Sequence, residues 1–208
     1  MGVTWYAWLW GTGAGQAARL AGGAAIFAAL AAVDLLRHGR RATRWKEYVF
    51  LLAFTAGTVA YAVANDMVTV TISPEYFLAH EQLPPDTPDL RWVAVGMGAR
   101  GAWWVGLIAG VALLMANNPS RRWPRLPWRR MYTKIAYPLT ASLLASAAAG
   151  LPVAAGWFDG PLGVGGQAKL RAFFCVYYIH VGAYLGGAAG ILAAVAAVIV
   201  QRRRASRL

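Results

Sequence analysis

Asp66, Glu75, Arg100 and His180 are the ionisable residues whose placement best suits shared chemistry, with Tyr76 and His80 close behind Glu75. Two carboxylates with one or two imidazoles can bind a divalent cation, and a carboxylate beside a histidine can pass protons. Asp66, Glu75 and His180 are the set a divalent metal would use. Neither chemistry has a motif behind it, because no HExxH and no paired ExxH spacing occurs. A plainer role is equally open. Ionisable groups at membrane depth are costly unless paired, and Asp66 or Glu75 pairing with Arg100 would satisfy that demand, with His180 bonded to a tyrosine or a carbonyl. Asn65, Tyr177 and Tyr178 stand near enough in sequence to join either arrangement.

The elements that must position these groups are membrane spans. Of 208 residues, 59% are hydrophobic and 13% charged, and the apolar residues gather in long runs. Tyr48 to Ala64, Val93 to Ala116, Ile135 to Ala155 and Tyr178 to Val200 approach or exceed the ~20 residues a helix needs to cross ~30 Å of hydrocarbon. A fifth run, Leu20 to Leu36, is shorter and rich in Ala and Gly, with Asp34 near its end; it is read as spanning. The expected fold is all-α: a polytopic helix bundle forming one membrane domain over residues 1–208, with no polar region long enough to bury its own core.

Charge placement orients the bundle. Fifteen of the twenty basic residues fall in three clusters, Arg37 to Lys46, Arg121 to Lys134 and Arg202 to Arg207, at alternate span ends. This positive-inside pattern puts the clusters and the C-terminus in the cytoplasm and the N-terminus outside the inner membrane. Asp66, Glu75, Glu81, Asp86, Asp89 and Asp159, six of the eight acids, fall at the opposite ends. The net charge of +12 therefore reflects topology and anionic headgroups rather than nucleic acid. The loop Asn117 to Arg130, with Trp123 and Trp128 among arginines, reads as headgroup-binding; docking of a membrane-protein partner there is the alternative.

Residues 66–90 form the main outer loop, expected to fold onto the bundle. Val68, Val70 and Ile72 alternate with Thr69 and Thr71, which predicts a short extended segment. Ser73-Pro74-Glu75 then supplies a hydroxyl cap, a proline at the first helical position and an acid for the dipole, so a short helix runs from Pro74 to Glu81 with Tyr76 and His80 on one face. Thr87-Pro88-Asp89 repeats the device ahead of the next span. Gly106 and Gly110, and Gly182, Gly186 and Gly190, have the four-residue spacing of close helix contacts. Pro138 is expected to bend its span.

Several functions lack their residues. No lysine lies deep in the last span, so retinal is excluded; Lys134 and Lys169 stand near span ends. Haem is disfavoured, since only His180 is in a span while His80 and His38 lie at opposite sides. Arg100 stands alone, which does not make a voltage sensor. No inverted repeat supports a transporter. Cys175 cannot form an internal disulfide and reads as a packing residue. Trp5, Tyr6, Trp8 and Trp10 read as an interfacial anchor, without the basic start of a secretory signal.

Asp66-Met67-Val68-Thr69-Val70-Thr71-Ile72-Ser73-Pro74-Glu75-Tyr76-Phe77 resembles a motif of small, uncharacterised bacterial multi-pass membrane proteins. His180-Val181-Gly182-Ala183-Tyr184-Leu185-Gly186-Gly187 resembles their second motif, a histidine before Tyr-Leu-Gly-Gly, with Val181 in place of asparagine. The resemblance covers about residues 47–200 and implies no activity. The expectation is thus an inner-membrane protein of accessory or binding type, with an outer, periplasmic site at Asp66, Glu75, Tyr76, His80, Arg100 and His180. A metal- or proton-dependent membrane enzyme or redox component using the same residues is the alternative, and a small proton-coupled transporter a second.

Overall fold

The computed structural model describes residues 13–118, 123–157 and 168–206. Trp5, Tyr6, Trp8, Trp10, Arg121, Arg122, Asp159 and Arg207 lie outside the described residues. Those described form seven α-helices and two 3-10 turns, with no strand. The helices are α1 (Gly13–His38), α2 (Trp45–Ile72), α3 (Pro74–Glu81), α4 (Leu90–Ala116), α5 (Trp128–Tyr132), α6 (Ala136–Ala154) and α7 (Ala168–Ala205). Five stretches are long and apolar enough to cross a membrane: Ala21–Arg41, Trp45–Ile72, Leu90–Ala116, Trp128–Ala154 and Ala168–Ala205. This is the make-up of a multi-pass membrane protein.

The spans pack as two intimate pairs, α2 with α4 and α6 with α7, while α1 touches mainly α2. Glycines make both pairs close. A Cβ on Gly98 would meet Ala62 and Val63 backbone at 2.9 Å, and one on Gly106 would meet Thr55 Cα at 2.8 Å. On α7, Gly182, Gly186 and Gly190 seat against Ala145, Ala141 and Pro138 of α6. The glycine spacing thus marks two helix–helix seams, the use small residues have where lipid tails supply no hydrophobic drive between helices. Ser142 and Ser146 add hydroxyl bonds across the second seam, to the carbonyls of Ala183 (2.9 Å) and Ile179 (3.0 Å).

The two pairs meet at their ends. At the basic end Phe50, Phe54, Leu113, Leu126, Met131 and Val198 form a buried cluster drawn from both. There Arg202, buried, donates to the carbonyls of Ala116, Asn118, Trp123 and Pro124, tying the last span to the loop after α4. At the acidic end Val70, Phe77, Ala94 and Val176 close a second, smaller cluster. Phe77, from α3, is fully buried. Asp34 binds α1 to α2 by accepting from the Trp45 backbone N–H at 3.0 Å.

Three local expectations need correction. Residues 68–72 are not extended, because α2 continues through Ile72. The Thr69 and Thr71 hydroxyls donate to the carbonyls of Asn65 (2.9 Å) and Val68 (2.6 Å), so both threonines satisfy themselves within a helix. Asp66 therefore sits more than a turn inside its span, and the connection to α3 starts at Ser73. Second, Asp89 rather than Thr87 precedes α4, in a left-handed conformation (φ 55°) with no side-chain cap bond. Third, Pro138 is the third residue of α6, in the first turn, directly after the 3-10 turn Thr133–Ile135. The proline inside that helix is Pro152. The short helix starts as the sequence predicts, with Ser73 Oγ accepting from the Tyr76 N–H at 3.4 Å and Pro74 at its first position.

Candidate functional site

Asp66 on α2 and His180 on α7 meet across the two helix pairs: His180 Nε2 lies 3.0 Å from Asp66 Oδ1, both side chains buried. The other ring nitrogen, Nδ1, donates to the Val176 carbonyl at 2.9 Å. Both imidazole nitrogens thus face oxygen. A neutral imidazole carries one N–H, so the pair keeps both bonds only by holding one further proton, on Nε2 or on the Asp66 carboxyl. In either form the pair is neutral overall, which is what a low-dielectric site favours.

Helix α3 lies over this pair. Tyr76 stacks on His180 with ring centroids 4.9 Å apart at 22°, and on His80 at 6.0 Å and 18°. Phe77 meets His180 edge-on at 6.1 Å. The phenol of Tyr76 is pushed up to about 12, first by burial and then by the charges of Tyr184, Asp66 and Tyr177 around it. It is a neutral hydrogen-bond donor at ordinary pH.

The carboxylates are distributed differently from the sequence expectation. Arg100 pairs with Glu81, not with Asp66 or Glu75. Glu75 stands apart from the dyad: Ser73 Oγ donates to it at 3.3 Å and Lys169 Nζ lies 3.7 Å away. Helical spacing explains the exchange. Phe77 and Glu81 are four residues apart on the face that turns inward with Tyr76 and His80, whereas Glu75 begins the opposite one. The signal for Glu81 was therefore present in the Tyr76–His80 spacing. Likewise Tyr184, one turn beyond His180, shares its face. Among the described residues no three His, Cys, Asp or Glu side chains group as a metal-holding set.

Below the dyad opens a cavity of about 550 Å³ between the two helix pairs, within the ~300–1,000 Å³ range of small-molecule sites. Its polar lining, Asn65, Asp66, Tyr76, His80, Glu81, Arg100 and His180, gathers at the α3 end. Beyond Arg100, toward the basic end, the walls become apolar, through Val105 and Leu139 to Phe54, Ala109 and Ile191. Asp66 to Phe54 is about 18 Å along α2 at ~1.5 Å per residue. Thr58 and Tyr61 bring hydroxyls to the middle of the cavity, but the first is spent on the Phe54 carbonyl (2.9 Å) and the second lies 3.3 Å from Ser146 Oγ. Trp104 on α4 and Tyr184 on α7 line the cavity while remaining 50% and 68% exposed, so the cavity wall there reaches the surface of the bundle.

No protein-family model, curated protein or solved structure matches the chain.

Proposed function

We propose that the chain is an inner-membrane protein of binding type, whose outer-face site takes an amphipathic molecule from the lipid phase. The observation that carries this reading is the polarity gradient of one cavity: a proton-holding Asp66–His180 pair at one end, apolar walls along the rest, and a wall that reaches the bundle surface at Trp104 and Tyr184. A lipid-phase molecule with a polar head and an apolar tail matches that gradient. A proton-handling role for the same dyad is the second reading, favoured by the two acceptors that face the imidazole.

Gly101 offers a direct test, because it lines the cavity and a Cβ placed there meets nothing within 4 Å. Gly101→Trp is expected to fill the space without disturbing the helix seams. In lipid nanodiscs, dodecyl amphiphiles should raise the unfolding temperature of the unmodified protein and leave Gly101→Trp unmoved. Equal responses in the two proteins, or none in either, would remove the binding reading.

The orientation assigned to the site rests on the arginine clusters at the basic end. A reporter fused after Ser206 is expected to be active in the cytoplasm. Periplasmic activity there would move the site to the inner face.

A further inference from the structure

Resting on the binding reading above, we infer that the head group taken by this cavity is a neutral hydroxyl, an alcohol or phenol on an apolar chain, rather than a carboxylate or an ammonium. Three features carry the inference. First, Asp66 lines the cavity, and its Oδ1 is engaged by His180 and, at 3.5 Å, by Asn65 Nδ2, while no hydrogen bond reaches Oδ2 among the described residues. An acceptor left open on the wall of a largely apolar cavity is matched by a ligand that brings a donor. Second, Tyr76 supplies the opposite function at the same place, since its phenol remains protonated well past neutral pH and can donate. A hydroxyl group is both donor and acceptor, so one head can give its proton to Asp66 Oδ2 and accept from a tyrosine.

Third, the charges around the head already balance. The Asp66–His180 pair is neutral with its shared proton, and Arg100 is paired with Glu81 on the same wall. A carboxylate head would bring an uncompensated negative charge toward Asp66, at a cost that low dielectric magnifies. An ammonium head would meet a site without net negative charge and would compete with the proton the dyad holds. Lys169 and Glu75, the nearest other charged pair, lie on the outer side of α3 and not among the cavity walls.

Dodecanol, dodecanoic acid and dodecylamine share one tail and differ only in the head, so they separate these cases. In nanodiscs at neutral pH, dodecanol should bind the unmodified protein about ten- to hundredfold more tightly than either charged analogue, the worth of one well-placed hydrogen bond to a buried acceptor. The doubly substituted protein Asp66→Leu/His180→Leu removes the head site while keeping the volume apolar. It should lose that preference while still binding the tail. Tighter binding of the acid or the amine, or equal binding of all three to the unmodified protein, overturns the head assignment and leaves the cavity as a binding site. Identical results in Gly101→Trp and the unmodified protein would instead take away the site itself.

Discussion

Gly186→Leu is expected to separate α6 from α7 and to be severely destabilising. A side chain at this position runs into the Ala141 carbonyl, with the Ala145 Cβ at 2.7 Å and the Ala141 carbonyl carbon at the same distance. Backbone atoms cannot step aside as a flexible side chain can, so the whole seam must open. Overpacking a well-filled interior costs ~1–3 kcal/mol and occasionally more, and this position belongs at the upper end. Opening the seam also pulls Ser142 and Ser146 from the carbonyls they serve. Thermal unfolding in detergent should show the loss. Gly101→Leu is the matched control, since it adds the same side chain where nothing stands within 4 Å. A Gly186→Leu protein as stable as that control would show that the α6–α7 seam is looser than described.

The second large effect concerns the dyad. His180→Leu leaves the buried Asp66 carboxylate with only the long 3.5 Å contact from Asn65 Nδ2, and breaking a buried charged pair from one side costs ~3 kcal/mol or more unless the acid takes up a proton. Asp66→Leu leaves an imidazole nitrogen without its partner, a penalty of ~1–3 kcal/mol. The double change Asp66→Leu/His180→Leu should be less harmful than either single one, because paired polar groups replaced together by apolar ones of similar size leave nothing unsatisfied. Chemical or thermal unfolding of the four proteins measures the coupling. If the two single losses simply add, the side chains do not form the pair.

Much of this organisation can be read from the residues, and the failures share a cause. The apolar runs and arginine clusters delimit the spans because the bilayer demands length and polarity with little ambiguity. Asp66, Arg100 and His180 fall at one depth by helix rise alone. Val68 to Ile72 misleads because alternation of β-branched residues and threonine suits a strand in water, whereas inside a membrane the backbone must bond to itself and each threonine hydroxyl can turn back on its own helix. Glu75 attracts attention through its place in a strong capping sequence. That sequence fixes where α3 begins, and leaves unstated which face it lays on the bundle. Burial of Phe77 decides the face, and with it the partnership of Glu81 and Arg100. The Asp66–His180 contact joins residues 114 positions apart, and no local pattern encodes it.

The arrangement in two close pairs also has a kinetic meaning. Within each pair the partners follow one another in the chain, separated only by the α3 connection or by residues 155–167, so their seams can form soon after each hairpin enters the bilayer. Contacts of short sequence separation form first because they close small loops. Docking of one hairpin on the other must wait until α7 has been synthesised, and only then do Asp66 and His180 acquire each other. During that interval each carries an unsatisfied polar group in or near the hydrocarbon. Their meeting is the late step of assembly, and the cavity, which has walls from both hairpins, comes into being with it.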